Sequence, residues 1–353
     1  MNNKICEINK GYIKMKTSNE VLVIAEVGQN HQGNLETALE YIRVLAAHGA
    51  DVVKFQTRNN KYLFSEDAYN KEYNSENAFA KYYGEHREKL ELNPEHLTIL
   101  KNECDKNGVK FISTPFDEPS LDIICDAGVD LIKIASFDLG NLPFLDKIAK
   151  KGLPVVMSTG GGDLNVVRDS VEILQKNIDD ITILHCVSEY PCTHDRLGLE
   201  TIEKYIDLFP NCKVGISDHF SGTLSGPISY MLGARVFEKH VTLNRSWQGT
   251  DHSFALEPHG FRNFVRDIKR VPEMMPVKKD DTLGNEPVFI KLGKSIVAAC
   301  DLNANDTIKI DDLSGKIFSE QYVPVRESVK FIGSRLNRSI KQGELIQYED
   351  IDL

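Results

Sequence analysis

The sequence predicts a (β/α)8 barrel followed by a small C-terminal domain. Short, largely apolar runs recur eight times, at residues 21–27, 51–56, 110–114, 131–135, 154–158, 181–187, 214–217 and 235–241. Stretches with helical spacing separate them, and the alternation stops near residue 272. No glycine-rich dinucleotide fingerprint follows the first run, which disfavours the competing layout, an open doubly wound sheet.

Near-continuous hydrophobicity over five to seven residues is what parallel strands show when both faces are buried. After the first run, Leu35, Ala38, Leu39, Ile42, Leu45 and Ala46 form one apolar stripe, with Asn34 set to cap the helix and Gly49 to stop it. Further helices are expected near 94–107, 119–127, 141–151, 163–177, 199–209, 221–232 and 258–271. Residues 58–92, rich in Tyr, Asn and Glu, break the rhythm between the second strand and its helix. A connection that long in a compact domain is usually a functional lid or an oligomer contact. Residues 1–272 therefore read as the barrel with an N-terminal extension, and 273–290 as a charged linker with Pro and Gly. Residues 291–353 carry strand-like runs at 295–299 and 307–310 and have a limited core, so this module is expected to lean on a partner surface.

The chain has 353 residues, 41% hydrophobic and 27% charged, the balance of a soluble globular protein. A formal charge of −10 argues against a general nucleic-acid binder but allows a locally positive pocket for anions. No apolar stretch is long enough for a membrane span, and MNNKICEINKGYIKMK lacks the apolar segment of a secretory signal. Seven scattered cysteines suit reduced thiols in a cytoplasmic enzyme. Cys186 and Cys192, near His185 and His194, match no structural zinc spacing.

The chemistry gathers at the C-terminal ends of the strands, the end on which barrels build active sites. In order these ends carry Glu26; Lys54 and Gln56; Ser113 and Thr114; Lys133 and Ser136; Ser158 and Thr159; Ser188 and Tyr190; Ser217, Asp218 and His219; and Glu238, Lys239 and His240. One polar strand end is ordinarily a satisfied rim hydrogen bond, but eight of them make a site. Two lysines among hydroxyls suit a phosphate and a carboxylate. His219 and His240 on adjacent strands, with Glu238 and Asp251 close in sequence, suit one divalent cation. Nitrogen and oxygen ligands admit Mn²⁺, Mg²⁺, Co²⁺ or Zn²⁺ alike.

The segments IAEVGQNHQGN (24–34), VKFQT (53–57), STPFD (113–117), KIASFDL (133–139), MSTGG (157–161), HCVSEYP (185–191), GISDH (215–219), FEKHVTL (237–243) and GTDHSFALEP (249–258) are joined by KLGKSIVA at 291–298. In this order they resemble the N-acetylneuraminate (sialic acid) synthase family over nearly the whole chain. That family is a phosphoenolpyruvate-using barrel followed by an antifreeze-protein-like (SAF) domain. The resemblance implies that phosphoenolpyruvate condenses with an N-acetylmannosamine-type aldehyde, with or without a 6-phosphate, and water, giving a sialic-acid-type nonulosonate and phosphate. It implies that Lys54, Thr114, Lys133, Ser136, Ser158, Ser188 and Ser217 hold phosphoenolpyruvate. His219 and His240 would hold the metal, Mn²⁺ foremost, to polarise the aldehyde. Glu26, Glu238 and Asp251 would be catalytic, and Gln56 and Tyr190 would face the sugar. It further implies a two-fold dimer in which each small domain covers the partner's site.

Three departures stand out. Ser188 replaces a frequent Asn, Gly161 a frequent Met, and the family's KRPGxGI-like stretch reads SGKIFSEQYVPVRES here, with Arg326 or Lys316 as substitutes for its arginine. A synthase for a legionaminic, pseudaminic or deaminated product is the near alternative. A non-catalytic sugar-binding barrel is the distant one, and it would be expected to have lost a lysine or a histidine.

Overall fold

The computed structural model of the protein describes residues 20–276, 284 and 286–352. Eight parallel strands close into a barrel in chain order. They are β1 (Leu22–Gly28), β2 (Val52–Thr57), β3 (Lys110–Pro115), β4 (Leu131–Ile134), β5 (Val155–Ser158), β6 (Ile181–Cys186), β7 (Lys213–Asp218) and β8 (Val236–His240). β8 closes on β1, with Leu22 opposite Val236 and Glu26 opposite His240. β4 stops one residue short of the expected end, because Ser136–Asp138 turns into a 3-10 helix.

The first helix, α1 (Leu35–Ala47), is capped by the Asn34 side chain, which accepts from the Thr37 N–H, and it buries Ala38, Leu39, Tyr41, Ile42 and Leu45. Residues 58–92 hold three short helices, α2 (Asn60–Leu63), α3 (Glu66–Tyr69) and α4 (Tyr83–Glu88). They surround an aromatic cluster of their own. The Tyr83 ring lies 5.4 Å from Phe64 and 5.2 Å from Tyr73, and Tyr73 lies 4.6 Å from His86. The barrel helices then resume with α5 (Pro94–Lys106), α6 (Glu118–Asp126), α7 (Leu142–Ala149), α8 (Leu164–Leu174), α9 (Thr201–Leu208), α10 (Ser225–Met231) and α11 (Pro258–Met274).

Because side chains alternate along a strand, each barrel strand feeds two cores. Outward residues such as Val23, Ala25, Val53, Phe55 and Phe111 pack in the layer beneath the helices. Inward, Ile24, Val52, Ile112, Leu131, Val156, Leu184 and Val236 form an apolar plug. At the level of this plug β7 contributes Gly215. A Cβ there would lie 2.0 Å from the Val236 carbonyl oxygen and 2.8 Å from Leu184 Cδ2, so only glycine lets the plug close.

The chain divides into two compact units, Met1–Met275 and Pro276–Leu353. The expected linker is partly regular. Glu273 and Met274 belong to the end of α11, and α12 (Pro287–Leu292) takes in residues 287–290. Residues 277–283 and 285 of that segment, and the N-terminal extension 1–19, lie outside the described residues.

In the second unit β9 (Ser295–Ala298) pairs antiparallel with β10 (Leu313–Lys316), and β11 (Arg335–Leu336) with β12 (Ile351–Asp352). The core expected to be limited is a contiguous cluster that includes Ile296, Leu302, Ile308, Phe331, Leu336, Ile340, Ile346 and Ile351. The strand expected at 307–310 is instead one isolated bridge, Thr307 to Arg335, running into a 3-10 turn at Ile310–Asp312. The cause is local: Asp312 turns its carboxylate back to accept the Lys309 N–H at 2.8 Å, which favours a turn over a ladder. Among the described residues no helix is long and apolar enough to cross a membrane.

Candidate active site

The alternation that builds the plug also builds the site. Two residues beyond each plug position the next inward side chains are Glu26, Lys54, Thr114, Lys133, Ser158, Cys186, Ser217 and Glu238. All are buried, and all line one cavity of about 560 Å³. A further two residues along, Gln56, His219 and His240 line it as well. Thirteen of the residues singled out in the sequence meet here: Glu26, Lys54, Gln56, Thr114, Lys133, Ser136, Ser158, Tyr190, Ser217, His219, Glu238, His240 and Asp251.

The cavity floor is an ion network. Lys54 Nζ lies 3.0 Å from Glu26 Oε2 and 3.6 Å from Glu238 Oε2, and donates to Thr114 Oγ1 at 3.3 Å. Lys133 Nζ donates to Ser158 Oγ at 2.7 Å and lies 3.8 Å from Glu238 Oε1, which also accepts from Ser217 Oγ at 2.9 Å. Gln56 Nε2 donates to Glu26 Oε1 at 2.7 Å. The two glutamates are driven apart. Burial pushes the Glu26 carboxyl up to about 7, against the pull of Lys54 and with help from the charge on Glu238. Burial opposes ionisation of Glu238 too, but Lys133, Lys54 and the Ser217 hydroxyl hold it down at about 2. One fixed carboxylate beside one carboxyl that exchanges its proton near neutrality is the arrangement of an acid–base pair.

This arrangement predicts a pH signature. Between pH 4.5 and about 7 the folded chain holds a proton on Glu26 that the unfolded chain has released, so this group's contribution to stability falls as pH rises through that window. Glu26→Gln removes the titration. The melting temperature of the variant relative to the unsubstituted protein is expected to rise from pH 5 to pH 7 and then level off. A difference independent of pH would show that Glu26 titrates normally.

Above the floor sit the histidines. The His219 and His240 rings are 5.3 Å apart, and Tyr190 packs 4.0 Å from His219. His219 Nδ1 bonds the Val187 carbonyl at 2.7 Å, leaving Nε2 as its other ring nitrogen. Burial holds His240 below its ordinary pKa, so its imidazole is neutral; its Nδ1 is buried without a hydrogen-bond partner, 3.6 Å from Asp251 Oδ2. Among the described residues no three His, Cys, Asp or Glu side chains are gathered in a metal-holding group. A cation here would have two histidines as its protein ligands and take the rest from water or substrate.

Ser113, Thr159, Asp218 and Lys239, also named at the strand ends, do not line the cavity: Ser113 bonds Thr57 Oγ1 at 2.8 Å, Thr159 donates to the Leu184 carbonyl at 3.1 Å, and Lys239 pairs with Asp218 at 2.6 Å. Of the residues assigned to substrate, Ser188 and Arg326 do not line it either. Ser188 lies just behind it: a Cβ on Gly160 would come within 2.1 Å of Ser188 Oγ and 2.8 Å of Ser136 Oγ. Arg326 belongs to the second unit, where its guanidinium lies 5.4 Å over the Phe289 ring. Sequence reasoning missed Arg58, Asn77, Tyr83 and Arg87, all lining residues from 58–92, and Cys186, whose Sγ accepts from Ser136 Oγ at 3.4 Å. Cys186 was detectable, because it stands two residues beyond Leu184 on an inward face. The two arginines follow no periodicity.

A family model described as the NeuB family matches residues 41–280. The chain belongs to the NeuB family. The N-acetylneuraminate-9-phosphate synthase of Mus musculus is 31% identical over 331 residues, covering 94% of this chain and 92% of the mouse protein. The N,N'-diacetyllegionaminic acid synthase of Legionella pneumophila is 32% identical over 337 residues, 94% of each chain. Among solved structures, the N-acetylneuraminic acid synthetase of Leptospira borgpetersenii, crystallised with citrate, superposes with a TM-score of 0.66 at 30% identity. The match covers 79% of this chain and 93% of that one. As a NeuB-family member the protein is a phosphoenolpyruvate-dependent synthase, the class expected from its motifs.

Proposed function

We propose that this NeuB-family enzyme joins phosphoenolpyruvate to the open-chain aldehyde of an N-acetylmannosamine-type sugar, yielding a sialic-acid-type nonulosonate and inorganic phosphate. The observation that carries the reading is the floor of the cavity. Two buried lysines and the hydroxyls of Thr114, Ser158 and Ser217 surround one space, a donor set for the phosphate and carboxylate of one small trianion.

C3 of phosphoenolpyruvate attacks the aldehyde carbon, forming the new carbon–carbon bond, and the aldehyde oxygen gains a proton. Water adds at C2 and loses a proton, and the resulting hemiketal phosphate expels phosphate to leave the ketone. Glu26, poised near 7, is the group that takes up and returns protons at the floor. Glu238 stays ionised and keeps Lys54 and Lys133 aimed into the cavity. Asp251 and Tyr190 border the histidines, where the sugar's reacting end belongs.

A divalent cation, Mn²⁺ foremost, fits the donor pair of a neutral His240 with an unpartnered buried Nδ1 and His219. Bound there, it would supply Lewis-acid polarisation of the aldehyde oxygen.

The test is phosphate release by the full chain from phosphoenolpyruvate and Mn²⁺, with N-acetylmannosamine, its 6-phosphate and diacetamido hexoses as partners. Release that depends on one of these sugars, with a matching nine-carbon product by mass, is expected. Release unaffected by any sugar would overturn the reading.

A further inference from the structure

Behind the histidines lies an ion pair that the chemistry above does not use. Asp218, the last residue of β7, stands opposite Lys239 of β8 in the sheet register. Ser217 and Glu238 face the cavity, so by alternation Asp218 and Lys239 face outward, into the layer beneath the helices. Their side chains are 0% and 1% exposed, with Lys239 Nζ 2.6 Å from Asp218 Oδ2. The same Oδ2 accepts from Ser225 Oγ, at the start of α10, at 2.5 Å, and Oδ1 accepts from the Phe220 N–H at 2.9 Å. Lys239 Nζ donates as well to the Phe220 carbonyl, and it lies 5.6 Å from the Phe264 ring of α11.

These contacts bracket the two histidines. Asp218 and Phe220 flank His219, and Lys239 precedes His240. His219 is also held at its own atoms: its carbonyl accepts from the Cys192 N–H at 3.0 Å, and its Nδ1 bonds the Val187 carbonyl at 2.7 Å. The link from its backbone to that of His240 runs through the ion pair as well as through the sheet ladder. Cohesion alone does not account for the pair. Replacing a buried ion pair by apolar side chains of similar volume is often neutral or stabilising, and this layer already carries Phe264. Apolar side chains could not bond both the N–H and the carbonyl of Phe220. Those two bonds set the direction in which the chain leaves β7, immediately past His219.

We infer that Asp218 and Lys239 are positioning residues that set the spacing and aim of His219 and His240 for a divalent cation. The inference rests on the cation reading of those histidines given above. Groups that orient a metal's ligands without touching the metal commonly govern its affinity roughly tenfold to a hundredfold. Here the orienting contacts are made to the main chain beside the ligands rather than to an imidazole. One pair, bridging two adjacent strands, therefore acts on both histidines at once.

The test measures Mn²⁺ binding by the full chain without substrates, from the electron paramagnetic resonance signal of the free ion, together with the melting temperature. Compared are the unsubstituted protein, His240→Ala, Lys239→Met, and the double variant Asp218→Leu with Lys239→Met. Lys239→Met leaves a buried carboxylate without its counter-ion and is expected to lower the melting temperature sharply. The double variant removes both charges and is expected to regain most of that loss. It should still bind Mn²⁺ roughly ten- to a hundredfold more weakly than the unsubstituted protein. Should it not fold, Asp218→Asn with Lys239→Met takes its place, because the amide still accepts from the Phe220 N–H and meets the Ser225 hydroxyl. Mn²⁺ affinity that returns with the melting temperature makes the pair structural and overturns the inference. So does an equal fall in phosphoenolpyruvate affinity, read by calorimetry on the same proteins, which would mean that the whole cavity had shifted. If the unsubstituted protein binds Mn²⁺ no better than His240→Ala, the cation reading falls and takes the inference with it. Mn²⁺ binding that depends on His240 but not on the ion pair removes the inference alone.

Discussion

Alanine at His240 is expected to lower sugar-dependent phosphate release by roughly a hundredfold or more while the barrel stays folded. The side chain sits at the last position of β8, beyond the plug, with its nearest ring neighbours Phe254 at 5.1 Å and His219 at 5.3 Å. Its removal therefore leaves the plug and the outer core untouched. The same loss is expected when the unsubstituted enzyme is stripped with a chelator. Mn²⁺ should restore the stripped enzyme but not the His240→Ala variant. His219→Ala should behave alike in activity, with an additional loss of stability, because its Nδ1 also ties down the Val187 carbonyl. Undiminished turnover by chelated enzyme would remove the cation from the proposal, and an active His240→Ala would remove the site assigned to it.

The second large effect is expected at Lys133. Its ammonium reaches Ser158 at 2.7 Å and Glu238 at 3.8 Å, and the side chain is 2% exposed. Lys133→Ala removes a charge-assisted contact to phosphoenolpyruvate worth about 1.5–3 kcal/mol, a roughly ten- to hundredfold fall in kcat/KM for that substrate. Lys54→Ala should lose a similar amount. It should also leave Glu26 and Glu238 facing each other without the cation between them, pushing Glu26 higher still. Lys133→Met, which keeps volume without charge, separates the electrostatic part from the packing part. If the loss appeared only in the KM of the sugar, the lysines would belong to the other substrate.

How much of this was legible depended on periodicity. The strands were readable because runs such as LVIAEVG and ITILHC are buried on both faces. The polar residues two positions beyond the apolar ones stood out as interruptions in hydrophobic runs. Glu26, Lys54, Lys133 and Glu238 are of this kind. What the sequence did not reveal was that the lysines are paired with the glutamates, because pairing across a barrel depends on register, which no single strand encodes. Arg58 and Arg87 were illegible for a different reason. One follows a strand end and the other lies in the short helix YGEHRE, in a connection legible as a lid or an oligomer contact but with no period to say which side chains the aromatic cluster of Tyr73, Tyr83 and His86 would turn inward. In the second unit, alternating apolar residues at 307–310 suggested a strand, but a single aspartate hydrogen bond was enough to make a turn.

The cavity of this barrel is lined by two different kinds of chain. The ion network of the cavity floor stands one two-residue step from an apolar plug, so altering its backbone means altering the core of the whole barrel. The wall that includes Arg58, Asn77, Tyr83 and Arg87 rests on 58–92, which carries its own small aromatic nucleus and is entered and left at fixed points, after β2 and before α5. Such a segment can be exchanged, lengthened or recharged in descent while the reaction is inherited unchanged. A lineage of this barrel that took up a new aldehyde would be expected to record the change between β2 and α5, with its plug and lysines left as they were.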